Sequence, residues 1–109
     1  MSDNKLFVYG TLGLGRPNEH ILSDIGGTWE SASVRGILKD KGWGAEMGFP
    51  GLELDEAGKE IKGFVFTSEN LVGHWASLDE FEGEAYQRVT TKVLLKNGQI
   101  INANIYTLR

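Results

Sequence analysis

The chain has 109 residues, which suits one domain with a single core and leaves no room for a separate cofactor domain. Apolar residues make up 40% and charged residues 24%, which excludes disordered and fibrous classes. The net charge of −4, with eleven scattered Lys and Arg, argues against a nucleic-acid partner, and the lack of cysteine rules out disulfides, thiolate nucleophiles and cysteine-held metals.

His20 and His74 are far apart in sequence, so neither a metal centre nor a cofactor is expected, and any catalysis falls to carboxylates, hydroxyls or backbone groups. The N-terminus does not read as a signal peptide and no apolar run approaches a membrane span, so the expectation is a cytoplasmic protein without a membrane partner. Fifteen glycines favour turns and close backbone approaches over a helical bundle.

Lys5 to Tyr9 reads as a buried strand running into Tyr9-Gly10-Thr11-Leu12-Gly13-Leu14-Gly15, where three glycines fall within six residues. Such a loop is either a plain turn or a cradle of backbone N–H groups for an anion or carbonyl oxygen. Pro17 opens a short helix through Leu22, which Gly26-Gly27 ends. Thr28 to Lys39 alternates as a long bent strand, with Gly36 read as a bulge. Lys41 to Gly51 reads as an ordered loop with one short strand, its Trp43, Met47 and Phe49 over a barrel mouth or pocket.

Gly58 turns the chain into the strand Ile61 to Thr67, whose centre is almost continuously apolar. Ser68 is a good N-cap for one helix running from about Glu69 to Phe81, with Leu71, Val72, Trp75 and Leu78 on its buried face and Gly83 as its stop. His74 reads as a partly exposed structural residue. Tyr86 to Leu95 and Gln99 to Leu108 form a hairpin about Asn97-Gly98. With a two-residue turn, Leu95 faces Ile100 and Val89 faces Tyr106. Both faces then mix polar and apolar residues, which suggests a sheet curled around a partly polar interior.

Asp79, Glu80, Glu82 and Glu84 place four carboxylates in six residues at the C-terminal end of that helix, where the macrodipole disfavours negative charge. Asp79 and Glu82 are three apart, share a face and repel, which raises at least one pKa toward a general-base range. The competing reading is that these acids are solvated, with Tyr86 a strand-start aromatic and Arg88 a surface charge pairing with them.

Phe7-Val8-Tyr9-Gly10-Thr11-Leu12, Gly15-Arg16-Pro17-Asn18, Phe49-Pro50-Gly51-Leu52, Leu78-Asp79-Glu80-Phe81-Glu82-Gly83 and Tyr86-Gln87-Arg88 together resemble, in order and spacing, the γ-glutamylcyclotransferase-like (AIG2-like) family over nearly the whole chain. The resemblance implies one α+β domain over residues 1–109, a small mixed β-barrel with one main helix packed against it. It implies an enzyme, a metal-independent transferase-type γ-glutamyl cyclotransferase. Glu82 would be the catalytic acid/base, and Tyr9, Gly10, Thr11 and Leu12 the cradle for a small-molecule γ-glutamyl substrate.

In that reaction the substrate's α-amine attacks its own γ-carbonyl, giving 5-oxoproline and a free amine, so no enzyme nucleophile, metal or cofactor is needed. Tyr9 and Tyr86 would add hydroxyl contacts and Arg88 would orient a carboxylate. Tyr-Gly-Thr-Leu stands where the glutathione-pathway relatives usually have Tyr-Gly-Ser-Asn-Leu, so the chain looks closer to the γ-glutamylamine and antibiotic-deprotecting branch. Two other readings compete: a non-catalytic binding module for a small amino-acid-like ligand, and an interaction domain with an apolar patch built from Trp29, Trp43 or Phe49. The oligomeric state is open.

Overall fold

The computed structural model describes residues 2–10, 12, 13, 15–39 and 51–109. Thr11 and, of the expected Lys41–Gly51 loop, all but Gly51 lie outside the described residues. The chain runs β1 (Lys5–Val8), α1 (Glu19–Ile25), β2 (Thr28–Lys39), β3 (Gly51–Leu54), β4 (Lys59–Thr67), a 3-10 helix (Glu69–Gly73), α2 (Trp75–Glu82), β5 (Tyr86–Leu95) and β6 (Ile100–Leu108).

The strands close into a ring, β2-β4-β1-β6-β5, with β5 returning to pair with β2 at Ala32 and Ser33. β1 lies parallel to β6 and antiparallel to β4, so the barrel is mixed, and β3 adds to the edge of β2 as an extra strand. This is the expected α+β barrel, with two helices set against it.

Strand alternation divides the apolar residues into two buried sets. Phe7, Ala32, Val34, Val65, Val93, Leu95, Ala103 and Ile105 fill the barrel. Leu6, Val8, Phe66, Tyr86, Tyr106 and Leu108 face outward, under Leu12, Leu22, Leu71, Trp75 and Leu78 of the covering segments. The run Leu6-Phe7-Val8 is continuously apolar because both of its faces are buried. The hairpin register differs by one residue from the one expected, which brings Val93, Leu95, Ala103 and Ile105 to one face together with the buried Thr107.

In the observed register Leu94 faces Ile100, Val93 faces Ile101 and Arg88 faces Tyr106. Leu95 instead donates its N–H to Gln99 O, leaving a loop of Lys96, Asn97 and Gly98. A two-residue I′ turn needs positive φ at both central positions, and only Gly98 (φ 93°) has it. Asn97 spends its side chain on the Gln99 N–H at 2.9 Å. The slip puts alternate residues on opposite faces from those expected.

Gly36 is likewise no bulge, since β2 keeps one register with β4 from Thr28 to Gly36. Its hydrogen in place of a side chain lets β3 approach, because a Cβ there would stand 2.5 Å from Glu53 O.

The single helix expected from Glu69 to Phe81 is two. Ser68 does cap, its Oγ accepting the Asn70 N–H at 3.1 Å, but the first segment is a 3-10 helix ending at Gly73. The His74 N–H bonds Leu71 O, and Trp75, the first residue of α2, donates its indole N–H to Asp3 O at 2.9 Å. His74 is exposed, with Nδ1 2.8 Å from Asn70 O. Trp29 packs edge-on to Phe64 and tilted against Phe66 rather than forming a patch, and Trp43 and Phe49 lie outside the described residues. No described helix is long and apolar enough to cross a membrane, which says nothing of spanning by strands.

A side-chain carbon at Gly63 would run into Val8 O, the backbone of β1. Gly63→Ala is therefore expected to push β1 from β4 and lose about 2 kcal/mol or more in urea unfolding. An unchanged midpoint would show that the two strands have slack at this point.

Candidate active site

β1 ends at Val8, and the chain turns at once, with the Gly13 N–H donating to Gly10 O at 3.1 Å. A Cβ at Gly10 would meet nothing within 4 Å, so this side of the turn is open. Leu12 points the other way and is buried in the core beneath the helices, which leaves its backbone as the part able to face a ligand. Tyr9 is pinned: its hydroxyl donates to Tyr106 O at 2.6 Å and accepts the Leu52 N–H at 3.2 Å, tying the loop to β6 and β3.

Glu82 is the last residue of α2. Gly83 follows at φ 81° and donates its N–H to Asp79 O, ending the helix as expected and fixing where Glu82 leaves it. The side chain is mostly buried, and that burial raises its pKa to about 7. Tyr9 and Tyr86 share the neighbourhood. Burial pushes both phenols up, and the charge of Glu82 pushes them further. The structure thus brings together Glu82, Tyr9 and Tyr86 beside the Gly10 turn.

Arg88 stands apart from this group. Its Nε and an Nη hold the Asp79 carboxylate in two contacts, at 2.9 and 3.2 Å, and its guanidinium lies 4.5 Å from the Trp75 ring centre. Partial burial pulls the Asp79 pKa up, but the Arg88 hydrogen bond, the Tyr106 hydroxyl and the Arg88 charge outweigh it, and the carboxyl sits below its ordinary range. Mutual repulsion is therefore not what separates the two acids: Asp79 is held ionised by Arg88, whereas Glu82 is raised by burial. Glu80 and Glu84 are exposed, as the solvated reading has it.

Sequence reasoning missed Tyr106. Its hydroxyl donates to Asp79 Oδ1 at 2.6 Å, so Tyr9, Tyr106, Asp79 and Arg88 form one chain of hydrogen bonds from the loop to α2 and β5. The signal was the hairpin register: once Arg88 faces Tyr106, both reach the same carboxylate. Among the described residues, no group of His, Cys, Asp and Glu is arranged to hold a metal ion.

The site has a pH signature. Glu82 binds its proton more tightly when folded than at its ordinary value of 4.5, so it adds no cost below that pH and destabilises the fold increasingly as pH rises through about 7. The three nearby phenols are all pushed upward and stay neutral in this window. Glu82→Gln is expected to gain up to about 3 kcal/mol on wild type between pH 4.5 and 8 in parallel urea titrations. A stability difference independent of pH would contradict the burial described.

A family model described as "Gamma-glutamyl cyclotransferase, AIG2-like" matches residues 6–109. No curated protein sequence matches the chain. Among solved structures, YkqA of Bacillus subtilis is 29% identical with a TM-score of 0.74, covering 97% of this chain, which spans only 36% of YkqA. An AIG2-like protein of Mus musculus is 28% identical with a TM-score of 0.66, over 95% of this chain and 76% of its own. A structure described as a γ-glutamyl cyclotransferase aligns at a TM-score of 0.69 over 96% of this chain and 66% of its own. Its identity of 19% makes that a likeness of fold.

Proposed function

The chain belongs to the γ-glutamyl cyclotransferase, AIG2-like, family, and on that premise we propose that it cyclises a γ-glutamylamine or related γ-glutamyl amide, with Glu82 as general acid/base. Membership supports cyclotransferase-type activity in general. The observation that carries the residue assignment is Glu82 itself, a mostly buried carboxyl with a pKa of about 7 beside an open glycine turn. A base with a pKa near the working pH exists in both protonation states, as proton transfer in two directions requires.

The reaction needs little else from the protein. Glu82 takes a proton from the substrate's α-ammonium group, and the freed amine attacks the γ-carbonyl carbon. A C–N bond forms as the carbonyl oxygen takes up negative charge. That first proton passes to solvent; Glu82 then takes the second proton from the newly bonded nitrogen and gives it to the leaving amine, the original amide C–N bond breaks as the carbonyl re-forms, and 5-oxoproline and free amine remain. Holding the attacking amine and the carbonyl together accounts for much of the rate, since the step is already intramolecular.

Backbone N–H groups of Gly10, Thr11 and Leu12 hold the α-carboxylate or the developing oxyanion in this reading. Tyr9 and Tyr86 shape the glutamyl pocket. Arg88 acts through Asp79, although the side of the guanidinium away from that contact would also suit a substrate carboxylate.

The test is 5-oxoproline release from a panel of γ-glutamyl amines and peptides. Wild type should turn over at least one of them, with kcat rising as pH passes about 7, and Glu82→Gln should lower kcat by about 10²-fold to 10⁴-fold. Equal release by the variant would remove Glu82 from the chemistry. Saturable binding without any release would make the chain a binding module.

A further inference from the structure

A concavity borders the Tyr9–Gly10 step. It is an open hollow of about 600 Å³ lined from β2, β4, the end of β5 and Gly10, Gly13 and Arg16. That is the size of a small-molecule site. Glu82, Tyr86 and Arg88 do not line it; Tyr9 and Gly10 are shared with the candidate active site. The Tyr9 hydroxyl is committed to Tyr106 O and the Leu52 N–H.

Two features set its chemistry. The first is charge. The chain as a whole carries −4, yet among the described residues this cavity is lined by Lys62 and Lys96 as well as Arg16, with Glu60 the carboxylate beside them, which accepts a hydrogen bond from Ser33 Oγ at 3.3 Å. The lysines come from different elements, and their backbones are held in place by the sheet. Lys62 pairs with Ser33 across β4 and β2, while the Lys96 backbone N–H donates to Ser31 O at 3.0 Å and anchors the hairpin end to β2. The second is an apolar lining: Phe64, Ala32, Leu94 and Leu95 give an organic body something to lie against.

We infer that this cavity is a binding site for a small phosphate monoester with an apolar or aromatic body. A phosphate monoester brings about 1.5 to 2 negative charges and three acceptor oxygens, enough to engage Lys62 and Lys96 together, whereas a carboxylate brings one charge. The cationic wall takes the phosphate and the Phe64–Leu94 side takes the body. The inference stands on the cavity alone and does not require the chain to be a cyclotransferase. An occupant would touch the backbone at Gly10, which makes the loop sensitive to it.

Phenyl phosphate, inorganic phosphate and benzoate serve as probes, titrated into the intact protein by calorimetry and followed on amide resonances. Phenyl phosphate is expected to saturate at low-millimolar concentration or below and to bind about tenfold tighter than either other probe. Shifts should centre on Gly10, Ser31, Ser33 and Lys62, and affinity should fall with added salt. Lys62→Gln with Lys96→Gln should weaken binding about tenfold, both lysines being exposed and removable without disturbing the core. Lys59→Gln, on β4 but outside the cavity, should leave it within about twofold. No saturation, equal affinity for inorganic phosphate or benzoate, or an unaffected double variant would each overturn the inference.

Discussion

A carboxyl group removed from water at the end of a short helix is the constraint on which the rest of the site depends. Burial alone moves Glu82 to about 7, against the ordinary preference of a glutamate for ionisation. Burial of that kind is a property of the whole assembly. α2 must lie close on the barrel, held by Trp75 and Leu78 in the outer core, and Gly83 must end it at the right turn. The Tyr9 loop must come in from the other side, held by hydroxyl bonds to β6 and β3.

Asp79 and Glu82 show how position on one helix decides the state of an acid. Asp79 lies one turn earlier, meets Arg88 and the Tyr106 hydroxyl, and is held ionised below its usual range. It serves as a structural anion, linking α2 to β5 and β6. Glu82 at the final position lies near Tyr9 and Tyr86, and burial lets it keep its proton up to about pH 7. Neutralising Asp79 locally leaves one acid of the pair to titrate near neutrality.

Much of the architecture was legible because continuous apolar runs mark strands buried on both faces. Leu6-Phe7-Val8 and Phe64-Val65-Phe66 are such runs, and they pair with each other in β1 and β4. Gly83 as a helix stop and Ser68 as a cap were legible from their local chemistry. Whatever depended on register was not. Asn97-Gly98 suggested a two-residue turn, but the Asn97 side chain closes a longer one, and that single slip hid Tyr106 behind the wrong partner. The division of helix between residues 69 and 82 was hidden too, because Trp75 is directed by a backbone carbonyl at Asp3, remote in sequence. The candidate role of Glu82 came from its family pattern, since the charge pattern alone favoured a solvated acid. Its burial follows from barrel closure, which no local window of sequence contains.

The most direct measurement of the central claim is the titration of the Glu82 side-chain carboxyl carbon by NMR, assigned by comparison with Glu82→Gln. A midpoint of about 7 is the value this account predicts. A midpoint at the ordinary 4.5 would mean that the carboxylate remains in water, and would contradict the buried proton-transfer group on which the site is built.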